Sequence, residues 1–415
     1  MVGIRERGER MKYEFSARAH TLASSQLLSI RTKTRRGGLI SLAEELPAEE
    51  LFPLPLLAET ASTVISADSG ALQYGDPEGY GPLRDWLAGD WLKSKGVAAP
   101  EGGVLLTTGS QQAIDLLTRV YIDPGDRVLV ENPTSPGILQ ALRMQGAVII
   151  PVKGDREGLQ PDHLRTAIRQ HRPKMLFATP SFTNPSGILW SLARRKEVLE
   201  LCIAHHVLIV EDDSYGDLHF QRTGGQPAVK YPSLYALENV SEGGHVLYIG
   251  SFSKTVAPAL RTGWAAGSRE LIGMMAAAKQ MADWQSSSLN QRLLHHLLEA
   301  TTFDLREHIA LLNREYSTRL KLMAELLKRP AWKNSSYEMP EGGMFLWVSL
   351  PEGLDAAALL KASLIKGVAF LPGPLCCVHG GSDRIRLNFT HPGRDELLLG
   401  MNLMSEAVTE FTARS

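Results

Sequence analysis

The stretch Val207-Leu-Ile-Val-Glu-Asp-Asp-Ser-Tyr215 is an apolar run of four residues that leads directly into acidic side chains and a phenol. Similar apolar runs, each bounded by turn residues, lie at positions 127–130, 148–150, 175–177 and 246–249. Segments with helical periodicity, such as residues 191–204, separate them. Strands that alternate with helices are typical of βα units, in which the sheet is covered on both faces. The sequence therefore predicts an α/β fold with a mainly parallel central sheet.

The pattern changes after about residue 289. Residues 290–300 and 304–328 carry apolar side chains at three- and four-residue spacings and are predicted to be helices. Short strands are expected around residues 344–348 and 384–389, so a second, smaller α+β domain is predicted to begin near residue 300. We expect three parts: an N-terminal arm and small-domain segment (1–50), a large domain (51–300) and a small C-terminal domain (301–415).

Composition narrows the class of protein. The 415 residues include 44 Lys and Arg against 45 Asp and Glu, so the net charge of -1 favours neither nucleic acid nor a membrane surface as a partner. The basic stretch at 31–36 has no interleaved aromatic residues and is interpreted as a solvated lead-in. Cys202, Cys376 and Cys377 are too few for a disulfide framework, which favours a reducing, cytoplasmic location, and no metal site is predicted.

Polar clusters follow two of the predicted strands. Lys254 stands behind Ser251 and Ser253 in the stretch Tyr248-Ile-Gly-Ser-Phe-Ser-Lys-Thr255, and Asp212 and Tyr215 follow the strand at 207–210. Functional side chains collect at the carboxyl ends of strands in an open parallel sheet. A carboxylate and a phenol suit a pyridine ring, because the carboxylate keeps the ring nitrogen protonated and the phenol can bond the ring's O3'. Each cluster alone is also compatible with ordinary surface residues.

Two further clusters are suited to ligand binding. Asn184 precedes Pro185, which favours an extended backbone and a rigidly held amide. Gly109 makes a turn before a predicted helix that begins with Ser110 and Gln111, whose free amides and dipole would hold a phosphate. A helix N-cap without a ligand explains this turn almost as well.

Together the clusters resemble the fold-type I enzymes that use pyridoxal 5'-phosphate (PLP), in the branch shared by α-aminoadipate aminotransferases and the catalytic halves of MocR-type regulators. The resemblance spans nearly the whole chain. Its markers occur in the order Gln73-Tyr74-Gly75, Glu78-Gly79-Tyr80, Gly109-Ser110-Gln111-Gln112, Asn184-Pro185, Asp212, Tyr215, Lys254, Arg261 and Arg384-Ile-Arg386. It implies an aspartate-aminotransferase-like fold, a homodimer with shared active sites, and ping-pong transamination between an amino acid and a 2-oxo acid.

The resemblance also implies a role for each matching position. Lys254 would carry PLP as a Schiff base and move the proton between the substrate and the cofactor. Asp212 would pair with the pyridine nitrogen, while Tyr215 and Asn184 would hold O3'. Arg386 would clamp the substrate's α-carboxylate, with Asn184 beside it. The remaining cofactor contacts would come from Ser110, Gln111, Ser251, Ser253, Arg261 and, from a second subunit, Tyr74.

Three departures from the relatives concern the substrate. Glu44 and Glu45 stand where relatives usually have two glycines, Ser135 replaces an aromatic ring stacked on the cofactor, and Leu27 stands roughly where relatives that take acidic side chains have an arginine. These four are candidate substrate-binding residues. Such a pocket would disfavour a distal carboxylate and favour a cationic amine or guanidinium. Paired glutamates are also often surface residues, so a solvated turn is an equal alternative.

Other functions remain open at this stage. A PLP enzyme of the same fold could instead catalyse decarboxylation-deamination, oxidation or β/γ-carbon chemistry, and a change in cofactor stacking at Ser135 is of the kind that would accompany such a shift. A PLP-sensing regulator would need an N-terminal DNA-binding domain, for which the roughly 40 residues before Ile40 are too few. A pseudoenzyme is disfavoured because Lys254, Asp212 and Arg386 are all present.

Overall fold

The structure is a computed structural model, which describes residues 13–19, 30, 32, 34, 38–220, 230–238 and 244–412. Leu27, one of the predicted substrate residues, lies outside the described residues. The strands are β1 (Ile40–Ser41), β2 (Val104–Thr107), β3 (Arg127–Asn132), β4 (Val148–Asp155), β5 (Gly158–Leu159), β6 (Met175–Ala178), β7 (Leu208–Asp212), β8 (Val246–Ser251), β9 (Gly263–Ala266), β10 (Ser336–Tyr337), β11 (Phe345–Ser349), β12 (Val368–Ala369), β13 (Leu371–Pro372) and β14 (Arg384–Asn388).

Helices surround these strands. They are α1 (Leu54–Ala67), α2 (Gly81–Trp86), α3 (Ser110–Tyr121), α4 (Pro136–Met144), α5 (Pro161–His171), α6 (Leu192–Ala204), α7 (Leu234–Glu238), α8 (Arg269–Asp283), α9 (Ser288–Glu299), α10 (Leu305–Leu326), α11 (Ala356–Ile365) and α12 (Arg394–Thr412). The helices predicted at 191–204, 290–300 and 304–328 are confirmed as α6, α9 and α10. Among the described helices, none is both long and apolar enough to cross a bilayer.

The central sheet has the order β2-β9-β8-β7-β6-β3-β4-β5. Strands β8, β7, β6, β3 and β4 pair in parallel, β9 is antiparallel to both of its neighbours, and β5 is antiparallel to β4. Successive side chains of a strand point to opposite faces, and both faces are covered here. Leu208 and Val210 therefore pack in one apolar core while Ile209 packs in the other. The predicted mainly parallel α/β fold is confirmed.

A smaller antiparallel sheet has the order β10-β11-β14-β13. A third apolar core lies around it and includes side chains from α10, α11 and α12. The segment after residue 38 joins this core, because β1 pairs in parallel with β12 and Leu42 is fully buried. The domain boundaries at residues 50 and 300 stay a prediction.

Candidate active site

Five strands of the large sheet that run in the same direction end at one edge, and a polar side chain lies at or after each end. Ser110 follows β2, Ser135 follows β3, Asn184 follows β6, Asp212 ends β7, and Lys254 follows β8. Apart from Asn184, these side chains line one cavity of about 580 Å³. A volume of this size is typical of a site for a small molecule.

Asp212 lies at the floor of this cavity and is buried. Its Oδ1 atom accepts hydrogen bonds from the backbone N–H of Ser214 at 3.1 Å and from the Ser214 hydroxyl at 2.5 Å. Burial raises the pKa of Asp212 to about 6, although the bonds from Ser214 favour the ionised form. A cation placed against this carboxylate would therefore be bound strongly, since burial makes an unpaired charge costly.

Lys254 points its Nζ atom to the backbone carbonyl of Glu45, at 2.5 Å. Burial lowers the pKa of Lys254, and the nearby guanidinium groups of Arg386 and Arg261 act in the same direction, against the attraction of Glu45. A lysine whose ammonium form is disfavoured supplies a neutral, nucleophilic amine more readily than a surface lysine does.

Asn184 joins the large sheet to Arg386 on β14 of the small sheet. Its Nδ2 atom donates to the hydroxyl of Tyr215 at 3.0 Å and to Oε1 of Glu45 at 2.9 Å, and its Oδ1 atom accepts from Nη1 of Arg386 at 2.7 Å. Arg386 donates from the same Nη1 to Glu45 Oε1 at 2.7 Å. The phenol, amide, guanidinium and carboxylate thus form one network, in which Arg386 is 1% exposed.

Another part of the cavity is suited to an anion. Gly109, with φ of 80°, leads into α3, and the guanidinium of Arg261 lies beside it and donates to the Thr108 carbonyl at 2.9 Å. Ser251 and Ser253 are buried here, with 3.0 Å between their hydroxyl oxygens. The first amides of a helix have no partners within the helix, and together with Arg261 they would hold a phosphate.

The structure brings most of the predicted site residues together. The predicted residues that line the cavity are Glu44, Glu45, Ser110, Gln111, Ser135, Asp212, Tyr215, Ser251, Ser253, Lys254 and Arg261. Asn184 contacts Tyr215 and Glu45 of this set, and Arg386 contacts Glu45. Tyr74 is different, since it is 79% exposed and its ring lies 6.3 Å from that of Trp284, outside the lining of the cavity.

Two of the predicted substrate residues also have local structural contacts. Ser135 caps α4, because its hydroxyl accepts the N–H of Gly137 at 3.3 Å. The Glu44 carboxylate accepts the hydroxyl hydrogen of Thr34 at 2.9 Å. The fully solvated turn considered for the glutamate pair is therefore wrong for Glu45, whose carboxylate is bound by Arg386.

Sequence reasoning missed three supporting residues. Ser214 orients Asp212, Thr108 supplies the carbonyl that positions Arg261, and Asn388 donates to the carbonyls of Glu44 at 2.6 Å and Leu46 at 3.0 Å. The backbone contact of Ser214 could have been recognised, since an aspartate side chain in a turn often accepts the N–H of the residue two positions on. Asn388 has no comparable local signal, because its partners lie more than 340 residues away.

The donors and acceptors fit PLP. A buried carboxylate stands ready for a pyridinium nitrogen, a lysine amine for the carbonyl carbon, and a helix N-terminus with an arginine for the phosphate. The space beside Gly109 supports this fit, because a side-chain carbon there would lie 2.6 Å from Arg261.

Comparison with known proteins agrees with this chemistry. The family described as aminotransferase class I and II matches residues 40–398. The chain is 37% identical to 2-aminoadipate transaminase of Thermus thermophilus, over 95% of this chain and 96% of that protein. It is 32% identical to aromatic-amino-acid aminotransferase 1 of Thermococcus litoralis, over 95% and 94%.

A solved structure shows the same likeness. The α-aminoadipate aminotransferase LysN of Thermus thermophilus, complexed with N-(5'-phosphopyridoxyl)-L-leucine, matches with a TM-score of 0.87 at 35% identity, over 97% of this chain and 98% of that one. The chain belongs to the class I and II aminotransferases. It is a PLP-dependent aminotransferase with the predicted aspartate-aminotransferase-like fold.

Proposed function

We propose that this enzyme transfers the amino group of an amino acid to a 2-oxo acid by a ping-pong mechanism, with the cavity residues in the roles that follow. Bound here, PLP supplies a carbonyl carbon that reacts with amines and a ring that accepts electrons from the substrate's α-carbon. Asp212 holds the ring nitrogen protonated, and Ser214 holds Asp212. Asn184 and Tyr215 bind the ring's O3', and Arg261 with the start of α3 binds the phosphate.

Lys254 is the residue that would hold the cofactor and then carry the proton. Its Nζ atom lies at the carboxyl end of β8, on the side of the cavity where the Glu45 carbonyl and the Asp212 carboxylate also lie. Because burial lowers its pKa, the amine is more readily available in the neutral form that accepts a proton from the substrate's α-carbon and would return it to the cofactor's reacting carbon.

Arg386 would bind the substrate's α-carboxylate. Its position relative to Lys254 is the observation that supports the proposal of transamination most directly. Lys254 and Arg386 come from different sheets, yet both donate to Glu45, one to its carbonyl at 2.5 Å and the other to its carboxylate at 2.7 Å. An amino acid joined to the cofactor has its α-carboxylate one carbon away from its nitrogen. Lys254 and Arg386 both contact Glu45, so they lie close to each other. Their spacing therefore suits the nitrogen and the α-carboxylate of one amino acid.

The test is a single half-reaction. Purified enzyme with bound PLP is mixed with each amino acid in turn and no acceptor, and the products are separated by chromatography. We expect one equivalent of pyridoxamine phosphate and one of 2-oxo acid per active site. Consumption of the amino acid without pyridoxamine phosphate would contradict transamination.

For the substrate, we propose an amino acid with a cationic side chain. Glu44 and Glu45 both line the cavity, which supports this choice, and a distal carboxylate would meet like charge there. The relatives named above act on 2-aminoadipate and on aromatic amino acids, and both classes belong in the same screen. A clear preference for 2-aminoadipate and 2-oxoglutarate over lysine, ornithine and arginine would exclude the cationic preference.

One observation favours a second reaction class. Ser135 lines the cavity with a side chain too small to cover an aromatic ring. A cofactor face left open there would admit water, oxygen or a larger substrate, as decarboxylation-deamination, oxidation or β/γ-carbon chemistry requires. Release of ammonia, carbon dioxide or hydrogen peroxide in the same half-reaction would identify this alternative.

We further propose that the enzyme works as a homodimer in the cytoplasm. Tyr74 and Leu72 are 79% and 71% exposed, and Tyr74 would reach the phosphate of a second subunit's site. All three cysteines are buried and unpaired, which suits a reducing compartment. Analytical ultracentrifugation tests the dimer, and a monomer with full activity would exclude a shared site.

A further inference from the structure

The carboxylate of Glu45 lies between the cavity and Arg386. Glu45 lines the cavity, whereas Arg386 is absent from the described residues that line it and is only 1% exposed. Nη1 of Arg386 and Nδ2 of Asn184 both donate to Glu45 Oε1, at 2.7 and 2.9 Å. An amino acid that enters the cavity therefore meets Glu45 before it can reach the arginine.

The donors around this carboxylate are those that we propose for the α-carboxylate of a substrate. An arginine and an asparagine donate to one of its oxygens, and the other lies 3.4 Å from the hydroxyl of Tyr215. Burial opposes ionisation of Glu45, yet the guanidinium of Arg386 and its hydrogen bond hold the pKa of this carboxyl well below the ordinary value. The group that occupies this position is thus a carboxylate ion at every working pH.

We propose that Glu45 is an internal substitute for the substrate's α-carboxylate, and that an amino acid or a 2-oxo acid binds by displacing it from Arg386. This inference rests on the proposed role of Arg386 in transamination and adds a specificity-determining residue to it. The substitution of glutamate for the glycine that relatives usually have at this position makes binding a competition between two carboxylates.

Displacement needs only a side-chain rotation, because the backbone around Glu45 is held in place independently. Asn388 donates to the carbonyls of Glu44 and Leu46, and Nη2 of Arg386 donates to the Ala43 carbonyl at 2.7 Å. The Glu45 side chain is 28% exposed, so it has a path to water when it leaves the arginine.

A substrate carboxylate has a chemical advantage over Glu45. The tethered carboxylate takes one nitrogen of the guanidinium, Nη1. A free carboxylate can approach at an angle that uses two donors, and such paired bonds are stronger than a single one. A substrate with a cationic side chain should bind more tightly still, because the displaced carboxylate of Glu45 can then pair with that cation.

The test measures carboxylate binding without turnover. Enzyme with bound PLP is titrated with propionate, which has a carboxylate but no amino group, in an isothermal titration calorimeter. We expect Glu45→Gln and Glu45→Ala to bind propionate about tenfold more tightly than wild type. A tenfold change corresponds to a wild-type enzyme in which, before propionate binds, the Glu45 carboxylate is bound to Arg386 in about nine-tenths of the molecules. Glu49→Gln is the matched control, because it removes the same charge from an exposed position four residues away and should bind like wild type.

A double-mutant cycle assigns the effect to the arginine. In an Arg386→Gln background, the change at Glu45 should no longer alter propionate binding. For a reacting amino acid whose side chain carries no charge, KM should fall in Glu45→Gln by the same factor. Unchanged or weaker propionate binding in both Glu45 variants, with the visible absorbance of PLP intact, would overturn the inference. If propionate binds as expected but no amino acid yields pyridoxamine phosphate, the proposal of transamination is wrong. The proposal that a carboxylate displaces Glu45 from Arg386 is still supported in that case.

Discussion

A side-chain carbon on residue 109 would lie 2.6 Å from Nη2 of Arg261, so Gly109 leaves open the space that the guanidinium occupies. The φ angle of Gly109 is 80°, in the region that glycine adopts without strain. We expect Gly109→Ala to displace Arg261 and weaken PLP binding by about tenfold, since a hydrogen bond to a charged group contributes about 1.5–3 kcal/mol. Absorbance titration of the cofactor-free protein measures the dissociation constant.

Gly125→Ala is the control for backbone strain. Its φ angle is 93°, and an added carbon would have nothing within 4 Å. Both variants should lose about 1 kcal/mol of stability, but only Gly109→Ala should lose PLP affinity. Equal PLP affinity in the two variants would mean that Arg261 does not bind the phosphate.

Lys254→Ala should abolish covalent attachment of the cofactor and reduce turnover by about 10²- to 10⁴-fold, because we propose that one amine both holds PLP and carries the proton. Borohydride treatment followed by peptide mass spectrometry should find the reduced cofactor on Lys254 in wild type and on no peptide in the variant. Lys153→Ala, which removes an exposed lysine of β4, is the control and should retain both attachment and activity. Attachment at another lysine would refute the assignment.

The fold was largely predictable, because burial on both faces makes four strands of the sheet, β3, β6, β7 and β8, continuous apolar runs. The strand β9 was missed for a physical reason. Its sequence is Gly263-Trp-Ala-Ala266, in which glycine and alanine have low strand propensity, and it runs antiparallel between β8 and β2. Its place is set by packing in the sheet and not by its own residues.

The convergence of Asp212 and Lys254 on one cavity was predictable for a related reason. Asp212 and Lys254 each follow a strand, so their convergence follows from a parallel sheet. The pairing of Glu45 with Arg386 could not be predicted, because the two residues are 341 positions apart. They meet only when β14, which carries Arg386, is paired in the small sheet. Nothing local distinguishes Glu45 from Glu44, yet one carboxylate binds Arg386 and the other accepts from Thr34.

Arg195 holds the loop that leads to Asn184. It is fully buried and donates to the carbonyls of Trp190, Pro180 and Pro232 at 3.3, 2.9 and 3.2 Å. Glu211, also buried, lies 3.9 Å away. Arg195→Met should cost about 3–5 kcal/mol of stability, because it removes the cation beside a buried carboxylate and the side-chain donor to the Trp190 and Pro232 carbonyls. Chemical denaturation measures the loss.

Arg119→Met is the comparison for Arg195. The Arg119 side chain is 50% exposed and pairs with Asp115 one helical turn away. Its loss should cost less than about 1 kcal/mol. Similar losses for the two variants would show that the buried contacts of Arg195 contribute little.

Glu131 should make the enzyme less stable as the pH rises. Burial raises the pKa of its carboxyl to about 8, from an ordinary value of 4.5, although the backbone N–H of Thr179 and the indole of Trp190 favour the ionised form. The folded protein therefore holds a proton that the unfolded chain releases near pH 4.5. The stabilising contribution is complete below that pH and is lost as the pH rises through about 8.

Glu131→Gln cannot titrate, so it should remove this dependence. Between pH 5 and 8 the melting temperature of wild type should fall relative to that of the variant, because one bound proton corresponds to about 1.4 kcal/mol per pH unit. The variant is less stable at pH 5, since its amide NH₂ must face the N–H donors of Thr179 or Trp190. Parallel curves of melting temperature against pH would show that Glu131 is already ionised in the folded enzyme.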